Sequence, residues 1–391
     1  MADEEFNFSI KNSLIKRPKI AVIFLGRKGG GPIYSYEMAK GLIENGCEVY
    51  LFVSKYVDNL QDWLSLKTIK TEVIKTYTGK FSFVLNSLFF RLFKYRFLKR
   101  TYKRICVNAC YIPMGHPWDC YIVNALKNPQ KIITIHDPIE HSSNNSNSST
   151  LARVTSILNK GIYDKKPDDI VILSKVFLEY VSSQKKVDKN HIHVIPHCVF
   201  SYYSEISTIN SYDYDVSKIN FLFFGRIDKY KGLDVLAKAF SLFLEHDNNS
   251  TLTIVGSGDF SFYLEKYENI KNVTVINRWI KDKEVSSFFV KDKNVILVLP
   301  YIDATQSGVI PIAMSSMIPI IASRTGGLVE QIEDYKTGFL VEPNNPQLLF
   351  QKMLEVSKRD NEQIIKNAKE YISHFSGVEL SKKIINIIDK E

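Results

Sequence analysis

The strongest constraint on how this chain can fold is a punctuation pattern present in both of its halves. A continuous apolar run is closed by glycine and followed at once by a segment of helical periodicity. In the second half the run is Phe221 to Phe224, closed by Gly225; its length and aromatic content are those of a buried strand. Leu233, Leu236, Phe240, Phe243 and Leu244 then recur at helical spacing. In the first half Lys19 to Leu25 is the run, Gly26 to Pro32 the turn, Ile33 to Glu44 the helix and Val49 to Val53 the next strand. Apolar runs without polar alternation belong to parallel sheets covered on both faces. The expected class is α/β, and 391 residues give room for two domains, each with its own core.

The rhythm continues along the chain. Further strands are expected at Cys120 to Val123, Lys131 to Ile135, Asp168 to Leu173, Thr251 to Val255, Val273 to Ile276, Val295 to Leu299 and Pro319 to Ser323, with Ser174 opening a helix. His141 to Thr150 reads as a polar loop, and residues 201–217, rich in Tyr and Ser, as a linker. Chemistry concentrates after Phe224, where Arg226 and Lys231 follow Gly225 within six residues. Two cations beside a helix start suit a diphosphate, because free backbone N–H groups there already favour anions. Taken alone, the same turn equally describes a surface loop with solvated charge.

The Gly225-Arg226…Lys231-Gly232 turn resembles the Gly-Arg…Lys-Gly motif of retaining GT-B glycosyltransferases of the family 4 (group 1) type, and the likeness runs in order from about Lys19 to about Phe350. The resemblance implies a GT-B fold: two Rossmann-like domains facing each other across a cleft. Residues 1–200 would form the acceptor-side domain, 201–217 the linker, 218–370 the nucleotide-sugar domain, and 371–391 a helix crossing back to the first domain. It further implies transfer, with retention, from a nucleotide-diphosphate sugar to a saccharide acceptor, free or lipid-linked, in cell-surface polysaccharide or glycoconjugate synthesis. A UDP-sugar is the expected donor, with no cofactor and no metal.

Site residues carry over by motif. Arg226 and Lys231 would hold the diphosphate, and His136, in Thr134-Ile135-His136-Asp137, would face the donor sugar. A strand-end histidine by itself is more often structural. Gly30 and Gly31 would lie near the donor phosphates, with Gly225, Gly256 and Gly258 in the donor loops and Trp279 and Ile280 beside the base. Gln306, Ser307, Gly308 and Val309 would grip phosphate, with Ser307 as N-cap and Pro311 in the first helical turn. Most relatives carry two glutamates eight positions apart in this region. Here Ala304 and Ile312 stand there, or Thr305 and Ala313 in the other alignment, and none of them is acidic. A nucleotide-sugar-binding or scaffold protein of the same fold, without catalysis, is therefore the alternative; a sugar-phosphate hydrolase or epimerase on a similar fold is a second.

Several classes are disfavoured. The first glycine loop has Tyr34 in the third glycine's place and Ser54-Lys55 where a dinucleotide-binding dehydrogenase has an acid. Cys47, Cys106, Cys110, Cys120 and Cys198 show no paired spacing, so neither a disulfide framework nor a zinc site is expected. Asp213-Tyr214-Asp215 is a D-x-D string, but no apolar strand precedes it and its acids are expected in solvent. Met1 to Glu5 is no signal peptide, so a cytoplasmic chain is expected. The net charge of +9 divides into +12 over residues 1–200 and −3 over the rest, yet no nucleic-acid module is visible. Residues 73–118 hold no Asp or Glu, while Arg96, Lys99, Arg100, Lys103 and Arg104 share one helical face. That segment either lies on the anionic inner face of a membrane or is a core helix with a solvated basic face.

Overall fold

The computed structural model describes residues 17–89, 94–139, 167–205 and 211–388. The polar tract His141 to Thr150 and residues 206–210 of the expected linker lie outside them. Two parallel sheets with flanking helices form a two-domain α/β architecture. The strands of the first sheet are β1 (Lys19–Phe24), β2 (Glu48–Ser54), β3 (Lys70–Ile74), β4 (Ala109–Ile112), β5 (Gln130–Ile135), β6 (Asp169–Ile172) and β7 (Ile192–Val194), in the order β3-β2-β1-β4-β5-β6-β7. Those of the second are β8 (Asn220–Phe224), β9 (Thr251–Gly256), β10 (Val273–Asn277), β11 (Val295–Leu299), β12 (Ile320–Ser323) and β13 (Phe339–Val341), in the order β10-β9-β8-β11-β12-β13. Each order reverses direction once, between β1 and β4 and between β8 and β11. At such a switch the two following loops diverge and leave a crevice beyond the strand ends.

By its contacts the chain divides into two compact units. Among described residues one comprises 17–134, 167–171 and 377–388, the other 135–139 and 172–376. In the first unit α1 (Gly30–Glu44) begins before the expected Ile33, with Pro32 in its first turn, where its missing N–H costs nothing. Two shorter helices follow, α2 (Lys80–Phe89) and α3 (Tyr95–Tyr102). The last helix of the chain, Gly377–Ile388, packs on α1; a Cβ at Gly41 would stand 2.2 Å from the Gly377 carbonyl oxygen.

Cys120 to Val123 is not a strand but part of helix α4 (Asp119–Val123). The Asp119 carboxylate accepts the His116 N–H at 2.5 Å, and the Trp118 N–H donates to His116 Nδ1 at 3.2 Å. These side-chain bonds close a helical turn after Pro117, a cue that the short apolar run does not carry. The strand beside β1 is instead β4, whose Ala109 to Ile112 are all buried.

In the second unit β8 is buried from Asn220 to Phe223 and runs against α5 (Leu233–His246), where the Phe221 ring meets Phe243 at 4.8 Å and Phe240 at 6.1 Å. The expected linker is partly packed. Tyr202 and Tyr203 are buried in a short helix, and Tyr214, also buried, donates its hydroxyl to the Phe288 carbonyl at 3.1 Å. Asp215 accepts from the Ser217 N–H and hydroxyl at 3.0 and 2.7 Å, capping a turn rather than forming half of a metal site. None of the five cysteines is in a disulfide.

Candidate active site

The site is built where β8 and β11 end. After β8, Gly225 turns the chain and Asp228 caps a single 3-10 turn, Lys229–Lys231, by accepting the Lys229 N–H. Gly232 then opens α5 with φ +67°, and a Cβ there would stand 1.9 Å from the Pro300 carbonyl oxygen. Only glycine tolerates both the left-handed backbone and that approach. Across the switch, the Ile302 N–H donates to the Tyr230 carbonyl at 2.8 Å. The two loops are thereby sewn together.

Lys231 is fixed at this seam. It is 8% exposed, with its ammonium 3.5 Å above the centre of the Tyr301 ring and 4.7 Å from that of Tyr230. Burial, reinforced by the Arg226 guanidinium, lowers its pKa from the ordinary lysine value to about 7, against the opposing pull of Asp137 and Asp228. Arg226 itself is exposed. A buried ammonium set against aromatic faces, with Asp137 and Asp228 attracting it but in no ion pair with it among the described residues, is undercompensated. An anion at this point would restore its charge.

The loop after β11 continues to Gly308 and α6 (Val309–Ser315). The N-cap is Gly308 rather than the expected Ser307, which stands one place before it, yet the Ser307 Oγ does accept the Val309 N–H at 3.3 Å. Gln331 clamps Ser307 from both sides, accepting its N–H at 2.9 Å and donating to its carbonyl at 3.0 Å. The Val309 N–H, expected on phosphate, is thus taken within the chain. Gln306 donates to the Leu173 carbonyl at 2.6 Å, and Thr305 donates to Asp137, so both polar side chains are also engaged. Ala304 and Ile312 are buried.

His136 follows β5 and lies beside His197, with ring centroids 6.4 Å apart. His197 Nδ1 is 2.9 Å from the Cys198 carbonyl, which can only accept, so the proton sits on Nδ1 and Nε2 is an acceptor. Burial lowers the His197 pKa to about 4, leaving the ring neutral at neutral pH. A Cβ at Gly308 would lie 3.6 Å from His197 Nε2 and 3.3 Å from the Phe200 ring. His136, His197, Gly308 and the Thr305–Asp137 bond therefore occupy one neighbourhood. A cavity of about 580 Å3 opens beside it, lined in part by His197, Gln306, Pro311 and Tyr371.

The glycines of the β9 loop serve packing. A Cβ at Gly256 would stand 1.7 Å from the Gly225 carbonyl, and one at Gly258 2.0 Å from that of Ile227. What approaches their backbone is the loop after β8. Asn277 pins Gly258 through its N–H and carbonyl, both at 3.2 Å. Beyond it, Trp279 is 42% exposed while Ile280 is buried. Gly30 and Gly31 belong to the first unit, where Gly31 faces the Met114 sulfur. Among the described residues no group of three or more His, Cys, Asp or Glu could hold a metal ion.

Comparison with known proteins decides the class. Residues 28–200 match the family described as Glycosyltransferase Family 4, and residues 208–371 that described as Glycosyl transferases group 1. The chain is a GT-B glycosyltransferase. This transferase is 23% identical over 389 residues to an uncharacterized glycosyltransferase of Methanocaldococcus jannaschii, with 92% of this chain and 94% of the relative covered. A glycosyltransferase from Rickettsia africae superposes with a TM-score of 0.67 at 19% identity, covering 96% of the transferase and 98% of that chain. Anabaena HepE, in a complex with UDP-glucose, gives 0.65 at 16% identity, covering 96% and 100%.

Two features of the site were not legible as functional residues in the sequence. His197 lies in the loop just after β7, and nothing local marks it as a neighbour of Gly308. Glu330 accepts the N–H groups of Lys175 and Val176 at 3.0 and 3.2 Å, partners more than 150 positions away.

Proposed function

We propose that this transferase moves a sugar, with retention of configuration, from a UDP-sugar to a saccharide acceptor in cell-surface polysaccharide or glycoconjugate synthesis. The observation that carries the proposal is the pair Arg226 and Lys231, one exposed and one buried, at the β8–β11 switch. Departure of a nucleoside diphosphate develops negative charge, and fixed cations in a partly dry site stabilise it strongly. Arg226 offers a forked donor to phosphate oxygens and Lys231 a point charge that the anion's field favours by raising the lysine pKa, the proton coming from solvent. With two cations assigned to this task, transfer needs no metal ion. The UDP-glucose complex of HepE supports the choice of donor. His136 faces the donor sugar, and His197 Nε2 offers an acceptor for a sugar hydroxyl.

The acceptor is taken to be lipid-linked, on the cytoplasmic face of an anionic membrane that the basic face of α3 addresses. No helix among the described residues is long and apolar enough to cross a membrane. Buried Ala304 and Ile312 favour a second reading, binding without turnover, because neither can accept a bond from a donor hydroxyl. Incubation with a panel of nucleotide sugars, with and without acceptor saccharides, tests both. Acceptor-dependent release of nucleotide that collapses in Arg226→Ala supports transfer; tight binding with no release supports the second reading.

A further inference from the structure

Four exposed apolar side chains lie on two successive helices of the first unit. Phe81 is 78% exposed, Leu85 53%, Phe89 55% and Phe97 64%. Phe81, Leu85 and Phe89 are spaced by four residues and so share one face of α2. The other face is anchored. Phe83 is buried and stacks on Trp118 at 5.7 Å, Ser87 accepts from Trp118 Nε1 at 3.0 Å, and Asn86 donates to the Thr76 carbonyl at 2.7 Å. α2 cannot turn its stripe inward without losing these contacts. α3 is anchored likewise by buried Leu98 and Tyr102, while Arg96, Phe97, Lys99 and Arg100 are exposed, with exposed Lys103 and Arg104 just beyond its end. No carboxylate occurs between residues 73 and 118, and Glu72 on β3, which bonds Tyr102, is ion-paired with Lys70 at 2.5 Å.

We propose that α2 and α3 form a two-part docking surface for an anionic lipid bilayer. Phe81, Leu85, Phe89 and Phe97 enter the interface, and the arginines and lysines of α3 contact lipid phosphates. Exposed apolar side chains on α2 and α3, with exposed cations on α3 and no carboxylate in the sequence from one helix to the other, match a surface whose interior is apolar and whose rim is anionic. A nucleic acid would use the cations but leave the four apolar side chains in water. The inference deepens the membrane part of the proposed function and rests on it, not on the transfer chemistry.

The test is sedimentation of the full chain with vesicles of phosphatidylcholine alone or mixed with phosphatidylglycerol, at low and physiological salt. Wild type is expected to pellet with the anionic vesicles and not with the neutral ones. The triple variant Phe81→Ser, Leu85→Ser, Phe89→Ser should lose at least about tenfold in binding, keeping a weak residue that salt abolishes. Arg96→Glu with Arg100→Glu should lose as much. Leu85→Trp supplies an independent readout: its fluorescence should shift to the blue on anionic vesicles and be quenched by brominated acyl chains. Wild-type-like binding by the triple variant, with no blue shift, overturns the docking surface while leaving membrane association standing. No pelleting of wild type with any vesicle overturns both. Donor turnover on a soluble acceptor should be unchanged in the triple variant, so loss of the membrane claim and loss of the transfer claim read out separately.

Discussion

The two units carry the same topological device and put different chemistry on it. In the second unit the loops leaving β8 and β11 bring Arg226 and a buried Lys231 to the switch. In the first, the loops leaving β1 and β4 bring Arg27 and His116, but neither is left as an open charge. Arg27 donates to the Tyr77 carbonyl at 2.7 Å and lies 4.6 Å over its ring. Tyr77 in turn stacks on His116 at 5.8 Å. Burial pushes the His116 pKa down to about 3, leaving its ring neutral at neutral pH, and raises that of Asp119. Parallel-sheet topology decides where a crevice forms; side chains decide whether it can hold an anion.

The largest effect should separate the two switches outright. Arg226→Ala or Lys231→Ala should each reduce turnover by roughly 10²–10³-fold, about 3–4 kcal/mol, as when one preorganised donor to a developing anion is removed. Arg27→Ala should leave nucleotide affinity within about twofold. Isothermal titration with UDP would break the comparison if Arg27→Ala weakened binding as much as Lys231→Ala.

Next in size is Ile312→Glu. The site is 7% exposed, so an added carboxylate is buried without a partner, costing roughly 2 kcal/mol or more and giving no gain in activity. Increased nucleotide release by this variant would show that the donor pocket needs only an acid to be complete.

A pH profile sharpens the contrast further. Lys231 titrates near 7 in the empty protein, so its charge is present below that pH and lost above it. The value of kcat/KM should fall as pH rises through about 7, and Lys231→Arg, always charged, should remove the fall. His116→Asn should leave the profile unchanged, since the His116 ring is already neutral there. A fall that persists in Lys231→Arg would assign the ionisation elsewhere.

The smallest effect is on stability. The Lys231 pKa is depressed on folding, so the folded state sheds a proton between about 7 and 10.5 that the unfolded chain keeps. The cost of burying the ammonium is therefore felt in full below 7 and disappears as pH rises across that window. Lys231→Met should raise the melting temperature by a few degrees at pH 6 and by less at pH 10. An equal gain at both would mean that packing, not charge, is responsible.

The sequence by itself determined the architecture and the position of the cations. Unalternating runs such as Phe221 to Phe224 can only be buried on both sides, and glycine after them allows few backbone paths, so β8, the turn and α5 were legible from local chemistry. The apolar run at Cys120 to Val123 was not, because four residues of apolar chain suit strand and helix alike until Asp119 and His116 close the turn. Tertiary structure alone decided what each polar group at the site does. Lys231 became a perturbed lysine only because Tyr301, seventy positions on, was folded over it. The Val309 N–H was withdrawn from ligand binding by Ser307, and Thr305 was bound to Asp137 from the far end of β5. Burial and hydrogen bonding depend on neighbours distant in sequence, and no local pattern encodes which neighbours those will be.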